Sequence, residues 1–380
     1  MQRHAIYVLL LTVFGMTCLG MVMLSSTGAF ALESRGDMYF FLKKQGLWLG
    51  VAVCAASVVG WLDYRIWRKW WPVIFVAAFV MLILCFIPPI GLRINGSTRW
   101  INLGIGTFQP SELAKVAALM FLAWWYEKHE MEAGSFVKGF FLPLSVLGIS
   151  VLPILLEVDM GTTALIMAAG LAVMFLAGTG LRWLIPMAVL GLVAVIFLAT
   201  QIDQRLGRLM AFMDPEKFQL AEGLQQWQAL IAFGSGGVDG LGLGAGRQKM
   251  LYLPYAHTDF IFPMIGEELG LKFTLPTVFG FLLICLCGTQ VALNARDRFG
   301  MLLAFGCVMM LTIQAAVNIG VATSMLPNKG MPLPFISFGG SGLLVSYTMV
   351  GLLVSIHRHG RPFAPRMSRA LLQAHQYCRL

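Results

Sequence analysis

Residues 247–270 have the sequence RQKMLYLPYAHTDFIFPMIGEELG, and the rest of the chain is organised around this stretch. His257, Asp259, Glu267 and Glu268 collect here between two hydrophobic blocks. A carboxylate at the edge of a membrane is costly to hold there. The sequence therefore predicts that Asp259 is kept for chemistry, and that the other segments build a lipid-facing cavity beneath it.

The composition defines the class of protein. The 380 residues are 58% hydrophobic and 12% charged, whereas a soluble domain carries roughly 25% charged residues. With a mean hydropathy of +0.78, the chain is predicted to be an all-α polytopic membrane protein, with residues 1–380 forming one domain. The net charge of +9 does not indicate nucleic-acid binding, because the basic residues lie in short loops between apolar blocks.

The cysteines indicate neither a metal site nor disulfides. Six of the seven lie inside apolar segments, and no C-x-x-C spacing occurs. We therefore expect buried free thiols that behave as small hydrophobic side chains.

The apolar segments predict about ten membrane spans, because crossing a bilayer takes about 20 residues. The first, residues 5–25, precedes Ala29-Phe30-Ala31, which resembles a signal-peptidase site. Its length exceeds the roughly 7–15 residues of a signal-peptide core, so an uncleaved span is favoured over a cleaved signal. The other predicted spans are residues 45–62, 70–90, 111–127, 137–156, 160–179, 183–201, 271–293, 300–322 and 341–357.

The distribution of charge predicts that both termini are cytoplasmic. With that orientation, the inner segments carry 14 Lys and Arg residues, including those of the tail at 358–380, and the short outer loops carry six. Positive residues accumulate on the cytoplasmic side of membrane proteins. The loop at 202–270, between spans seven and eight, is then extracytoplasmic.

Two outer loops carry recognisable local signals. Within 202–270, apolar pieces at 224–233 and 260–265 predict that the loop folds against the membrane. The glycine-dense segment 234–246 is interpreted as a flexible hinge rather than a nucleotide cradle, because no G-K-[ST] follows. In the loop at 91–111, Asn95-Gly96 predicts a turn and Pro110 predicts the start of a helix.

Glu112 and Lys115 are spaced i, i+3 inside span four, which places them on one helix face where they can pair. The pair could be a structural ion pair that fixes the helix, or the polar lining of a cavity for a charged head group. Desolvation offsets the attraction within a buried pair, so its presence favours function.

Other polar residues have simpler explanations available. Glu157 and Asp159 could cap the helix that follows them, and Glu267 and Glu268 could do the same for span eight. His257 is most simply a hydrogen-bonded structural residue, with no second histidine at metal spacing.

Two further features lie near the end of the chain. Gln314 and Asn318 are four residues apart in span nine and could form hydrogen bonds between helices. The proline- and glycine-rich segment 327–342 predicts a re-entrant or tightly packed loop, which membrane proteins tolerate only where it is buried in protein or lines a cavity.

Three stretches together resemble the signature regions of the SEDS family (shape, elongation, division, sporulation). They are GSTRWINLG with FQPSELAK, QKMLYLPYAHTDFIFPMIGEELG, and LPNKGMPLPFISFGGSG, and the resemblance runs from span one to span ten. They look more like the division member of the family than its elongation paralogue. Where the family usually has glutamate in its LPEAHTD motif, this chain has Tyr255.

The resemblance implies a ten-span bacterial protein of the cytoplasmic membrane that polymerises lipid II into glycan strands at the septum. It implies a class B penicillin-binding protein as transpeptidase partner, together with other division proteins. The family's essential aspartate corresponds to Asp259, and its polar pair to Glu112 and Lys115.

The expected reaction inverts the configuration at the anomeric carbon of the donor sugar, so a single general base suffices. We assign that role to Asp259. The leaving pyrophosphate needs positive charge. Lys115 is the first candidate to supply it, and the substrate-binding candidates beside Glu112 and Lys115 are Arg99, Arg247, Lys249, His257 and Lys329. No protein metal site is evident, although Mg²⁺ or Mn²⁺ shared with pyrophosphate would leave little trace in the sequence. A lipid II flippase and a non-enzymatic division scaffold are the alternative functions.

Overall fold

The computed structural model describes residues 2–28, 37, 39–88, 90–94, 97–102, 107–201, 203–214, 216–219, 223–250 and 253–360. The α-helices in this part are α1 (Gln2–Thr27), α2 (Phe40–Trp61), α3 (Arg65–Leu84), α4 (Pro110–Lys128), α5 (Leu142–Leu156), α6 (Met160–Ala177), α7 (Leu181–Thr200), α8 (Asp203–Met213), α9 (Leu224–Gly236), α10 (Ile261–Leu269), α11 (Leu271–Leu293), α12 (Arg298–Ala322) and α13 (Gly340–His359). Three short strands, β1 (Gly91–Ile94), β2 (Ser97–Asn102) and β3 (Thr107–Phe108), form one antiparallel sheet.

The helical class predicted from composition is confirmed. Among the described residues, eight helices are long and apolar enough to cross a membrane. Helices also occupy each of the ten predicted segments, although the count of ten spans and their orientation stay predictions. The largest boundary difference is at the end of α3, which stops at Leu84 instead of residue 90. Successive turns follow it as far as Pro88, which cannot continue a helix.

The core of the bundle is built around α12 and α4. Three alanines on α4 are buried (Ala114, Ala117 and Ala118). Gly306 of α12 leaves room for Leu119 of α4, because a Cβ at residue 306 would lie 2.7 Å from Cδ2 of Leu119. Small residues of this kind let membrane helices approach closely. At the periphery, α7 has one buried side chain among those described, Leu184, so its apolar surface is left for lipid.

One end of the bundle gathers the segments that matter for function. Here the sheet of β1–β3, the turn at 157–159, the segment 253–260 and the loop 327–339 contact one another through the bonds described below. We call this the Asp259 end. The sequence of residues 91–111 predicts a turn but not strands, because β1 and β2 are short and without clear alternation of apolar residues.

The long segment after α7 is folded, as predicted, with α9 and α10 at the two apolar pieces. The short helix α8 was not predicted. The flexible-hinge interpretation of 234–246 is wrong: the backbone N–H groups of Leu241 and Gly242 donate to the carbonyls of Glu267 and Glu268, both at 2.9 Å. Glycines supply the positive φ values that this bonded loop requires, for example 101° at Gly242.

The opposite end of the bundle carries most of the basic residues assigned to the cytoplasm. Arg68 pairs with Glu127 at 3.0 Å, Arg298 with Glu130 at 2.6 Å, and Arg65 with Asp297 at 3.5 Å.

Some sequence predictions fall on residues outside the described part, namely the candidate cleavage sequence Ala29–Ala31, the turn Asn95-Gly96, and the tail from 361 to 380 with its arginines and Cys378. The six cysteines of the described part are free thiols.

Candidate functional site

Asp259 lies in a tight turn between α9 and α10. Tyr255 has a φ of 58°, in the left-handed region, and its carbonyl accepts from the N–H groups of Thr258 (3.0 Å) and Phe260 (3.4 Å). A non-glycine residue in that conformation costs on the order of 1 kcal/mol, so the turn depends on its surroundings. The turn leaves Asp259 half-buried just before α10, whose residues 261–268 are all buried.

The loop 327–339 holds this turn in place. The N–H of Phe338 donates to the carbonyl of His257 at 3.0 Å, and Oγ of Ser337 donates to the carbonyl of Thr258 at 2.6 Å. Ser337 Oγ also accepts from the N–H of Leu333 at 2.8 Å. The loop is non-helical and largely buried, as expected for irregular backbone at membrane depth.

Two amides on α12 connect the same loop to the core. Nδ2 of Asn318 donates to the carbonyls of Asp259 (2.8 Å) and Met331 (2.6 Å). One helical turn earlier, Nε2 of Gln314 donates to the carbonyl of Pro332 at 2.8 Å. Both amides donate to loop backbone, and Gln314 also bonds to another helix as predicted, because its Oε1 accepts from Lys115 of α4.

The predicted pair of Glu112 and Lys115 is present and buried. Nζ of Lys115 donates to Oε1 of Glu112 at 2.7 Å and to Oε1 of Gln314 at 3.0 Å. The pair also lies close to α13, because a Cβ at Gly342 would be 3.9 Å from Glu112 Oε2. Gln314 therefore links this buried pair to the loop that supports Asp259.

The turn between α5 and α6 supplies two more carboxylates to the Asp259 end. Asp159 caps α6, accepting from the N–H of Thr162 (3.2 Å) and from its Oγ1 (2.9 Å), which agrees with the capping role considered for it. Burial is the main cause that raises the pKa of Glu157 to about 7, with Asp159 acting in the same direction and Cys85 and Arg99 opposing it.

The side chain of Arg99, on β2, donates hydrogen bonds to the backbone of the turn at 157–159. Its Nε donates to the carbonyl of Glu157 at 3.2 Å, and its Nη2 donates to that of Val158 at 2.9 Å. Val158 has a φ of 69°, which is strained for a β-branched residue. Nη1 lies 3.9 Å from Oδ2 of Asp159, so the guanidinium also brings positive charge to the carboxylates.

The Asp259 carboxylate lies against Gly330 and within electrostatic reach of Asp159. A Cβ at residue 330 would be 2.6 Å from Oδ2 of Asp259. Burial first, and then the negative charge of Asp159, raise the pKa of Asp259 from 3.8 to about 6. Lys329 lies beside the start of α6, with its Cγ 3.5 Å from where a Cβ at Gly161 would be. The two cations thus lie next to neighbours of Asp259, since Arg99 approaches Asp159 and Lys329 directly precedes Gly330.

The remaining candidates lie in other surroundings. The ring of His257 packs against Phe41, with centroids 4.4 Å apart, which agrees with a structural role. Arg247 is exposed, and its backbone N–H donates to Oε1 of Glu267 at 2.8 Å. These contacts give no support to substrate binding by the side chain of His257 or of Arg247.

Lys249 is engaged elsewhere. It is 4% exposed, and its Nζ donates to Oε1 of Glu268, Oγ of Ser26 and the carbonyl of Gly244, each at 2.7 Å. Glu268 Oε2 in turn accepts from the N–H of Gly244 at 2.9 Å. This network ties the glycine loop to α1 and α10. It favours a structural role for Lys249 over the predicted substrate contact, and it gives Glu268 a role in loop anchoring rather than helix capping.

Sequence reasoning missed the way these groups are brought together. Glu157 and Asp159 were considered only as caps, and Arg99 only as a weak cation candidate, because the contacts of Arg99 with the turn at 157–159 and the approach of Asp159 to Asp259 join segments far apart in the sequence. No group of three His, Cys, Asp or Glu side chains suited to a metal ion occurs in the part of the chain that the structure describes. A divalent cation shared with a substrate diphosphate stays a prediction.

These features define a polytopic helical membrane protein in which one buried loop joins a buried ion pair to a carboxylate at the end of the bundle. The family model described as cell cycle protein, covering FtsW, RodA and SpoVE, matches residues 6–362. The chain therefore belongs to this family, and the resemblance to SEDS proteins drawn from its motifs is confirmed.

Individual relatives agree over nearly the whole chain. A Geobacter metallireducens protein named probable peptidoglycan glycosyltransferase FtsW is 41% identical over 357 residues, which cover 93% of this chain and 95% of the relative. Stage V sporulation protein E of Bacillus subtilis is 35% identical, over 90% of this chain and 94% of that protein.

Solved structures show the same fold. A chain of a peptidoglycan synthase complex, described as coordinating polymerization and crosslinking, superposes with a TM-score of 0.75 at 26% identity, covering 92% of this chain and 96% of that one. The rod shape determining protein RodA of Thermus thermophilus superposes with a TM-score of 0.68 at 25% identity, covering 93% and 97%.

Proposed function

We propose that this protein is a peptidoglycan glycosyltransferase that polymerises lipid II. The observation that carries the proposal is the Asp259 carboxylate, held half-buried against Gly330 and within electrostatic reach of Asp159, with its pKa raised to about 6. Relatives named as peptidoglycan glycosyltransferases match along nearly the full length, so the same activity is the simplest account of this arrangement.

In the proposed reaction, the C4 hydroxyl of one lipid-linked disaccharide attacks C1 of another. The bond from C1 to the diphosphate oxygen breaks, and undecaprenyl diphosphate leaves with the bonding electron pair. Asp259 accepts the proton of the attacking hydroxyl, which requires approach to about 2.6–3.2 Å or one bridging water. The α-linked donor gives a β-linked product by single displacement, so no covalent sugar intermediate forms.

The raised pKa suits this task. A base is most effective when its pKa lies close to the working pH, because it is then both ionised and able to hold the proton it receives. Burial and the charge of Asp159 move Asp259 in that direction. Near neutral pH most of the carboxylate is ionised and still a stronger base than an exposed aspartate.

The leaving diphosphate needs cations near Asp259. Arg99 and Lys329 meet this requirement by position, since both lie around the start of α6 at the Asp259 end. Lys115, the first candidate from sequence, is buried with two internal acceptors, and it reaches the loop 327–339 only through Gln314 among the contacts described. We propose that Lys115 assists the reaction either by supporting the loop 327–339 through Gln314 or by contacting a substrate head group that reaches it. We also propose that a divalent cation binds together with the diphosphate.

The setting follows from the same proposal. Both termini would be cytoplasmic, with the Asp259 end at the outer face of the bacterial inner membrane, which agrees with the basic residues at the opposite end. A class B penicillin-binding protein would supply the transpeptidase, supported by the likeness to a chain of a peptidoglycan synthase complex. The relatives named FtsW support a septal role with other division proteins.

The test uses the purified full-length protein in detergent with lipid II. Glycan polymer is expected from the wild type and not from Asp259→Asn, while the matched control Asp239→Asn, an exposed aspartate of the same long segment, retains activity. Detergent leaves no bilayer to cross, so polymer formation separates a polymerase from a flippase. Absence of polymer with and without the partner transpeptidase would support the flippase or scaffold alternatives, and addition of EDTA tests the cation.

A further inference from the structure

Asn318 connects the backbone of Asp259 to the backbone of the loop against which the Asp259 carboxylate packs. Its side-chain amide donates one hydrogen bond to the carbonyl of Asp259 itself and another to the carbonyl of Met331, at 2.8 and 2.6 Å. Met331 follows Gly330, against which the carboxylate packs. A single NH₂ group on α12 therefore fixes the distance between the residue proposed as base and the loop that forms its wall.

The orientation of this amide is set by its partners. An asparagine NH₂ carries two donors, and here both face carbonyl oxygens, which can only accept. Turning the amide would place its oxygen against two other oxygens, so the orientation shown is the one the contacts permit. Within the described residues, Oδ1 has no hydrogen-bond partner, and the side chain is 2% exposed.

We propose that Asn318 is a positioning residue for Asp259, an inference that rests on the proposed glycosyltransferase activity. α12 is buried along most of its length, so it gives the amide a fixed point of attachment. Without the two bonds, the turn at 253–260 and the loop 327–339 lose a direct link. The carboxylate then samples positions too far from the acceptor hydroxyl. Even a small displacement of a reacting group lowers the reaction rate strongly.

The chain offers a matched control for the structural part of this effect. Gln226 of α9 is 0% exposed, and its Nε2 also donates to two backbone carbonyls, those of Val321 (3.3 Å) and Leu326 (2.8 Å). Its Oε1 likewise has no partner within the described residues. Gln226→Ala thus removes the same kind of bonds next to the same loop, without touching Asp259 or Met331.

The experiment measures lipid II polymerisation by the purified full-length protein over a range of pH. Asn318→Ala is compared with wild type, with Gln226→Ala, and with Asn318→Asp, which keeps the size of the side chain but loses the NH₂ donors. We expect both Asn318 variants to lose about tenfold or more in kcat, with KM changed by less than about threefold. In Asn318→Ala, water entering the loosened turn should also lower the pKa of Asp259 and move the acidic limb of the rate profile to lower pH, whereas the added carboxylate of Asn318→Asp acts in the opposite direction.

Gln226→Ala is expected to keep the wild-type profile, with a loss of thermal stability similar to that of Asn318→Ala. The proposal is overturned if the Asn318 variants lose no more rate than Gln226→Ala, if only KM changes, or if both Asn318 variants fail to fold while Gln226→Ala folds. If wild type itself gives no polymer that depends on Asp259, the proposed function fails instead, which keeps the two failures distinct.

Discussion

Asp259 and Gly330 are in direct contact: a Cβ at residue 330 would lie 2.6 Å from Oδ2 of Asp259. That separation is shorter than any normal contact, so Gly330→Ala must displace the carboxylate. Because Gly330 does not have a left-handed φ, the added methyl group introduces no backbone strain of its own. We expect kcat for glycan polymerisation to fall roughly 10- to 100-fold, with folding retained.

The control for this substitution is Gly234→Ala in α9, where a Cβ would meet nothing within 4 Å. It should leave the rate of polymerisation unchanged and stabilise the helix slightly. Wild-type kinetics for Gly330→Ala would mean that the carboxylate moves without consequence, which would count against its role as the base.

The rate of polymerisation should depend on pH through Asp259. Its pKa is raised to about 6, and a base must be ionised, so kcat/KM should rise with pH through about 6 and then level off. Asp159→Asn removes a negative charge that raises this pKa, while asparagine can still cap α6. The rising limb of the profile should therefore move to lower pH.

Asp239→Asn provides the comparison for charge alone, because Asp239 is exposed and pairs with Lys272 away from the turn at 157–159. Its profile should coincide with that of the wild type. A limb that stays in place in Asp159→Asn would show that the group titrating near pH 6 is not Asp259.

Asp259 should also lower the stability of the folded protein at neutral pH. Its folded-state pKa of about 6 lies above the ordinary value of 3.8, so the folded state binds the proton more tightly, and stability falls as pH rises from about 4 to 6. Asp259→Asn removes the buried charge and should gain on the order of 1–2 kcal/mol at pH 7.5. Melting temperatures in detergent at pH 5 and pH 7.5 check this, and the difference between variant and wild type should grow at the higher pH.

Much of the fold was predictable because lipid imposes a simple rule. A spanning segment must be apolar and helical, so α1, α11 and α13 could be located from runs of hydrophobic residues. The pairing of Glu112 with Lys115 followed in the same way from helical spacing. Asp159 was correctly given a capping role for a local reason, since it directly precedes α6.

Contacts between distant segments could not be predicted from the sequence. Lys249 looked like a free outer-loop cation, but its partners Ser26 and Glu268 come from α1 and α10. Arg99 was a weak candidate until the backbone of residues 157 and 158 was found within its reach. The local pattern around each residue carries no information about such neighbours, and the strands β1 and β2 are too short to produce a periodic signal.

Glu112 and Lys115 allow a substitution that separates structure from function. Lys115→Met leaves the Glu112 carboxylate buried without its cation, which should cost about 3–5 kcal/mol of stability. The double variant Glu112→Gln with Lys115→Met removes both charges and should recover most of that loss, because a neutral pair of similar volume needs no compensation.

The activity of the double variant then decides what the pair does. We expect it to fold nearly as stably as wild type yet polymerise lipid II about tenfold more slowly with a raised KM for the donor, because the Lys115 charge that assists a head group reaching it is gone. Gln314→Leu, which removes an acceptor of Lys115 and the donor to Pro332 but keeps both charges, should lower kcat rather than raise the donor KM. If the double variant polymerises at the wild-type rate, the pair serves only to fix α4, and Arg99 and Lys329 remain as the cations for the leaving group.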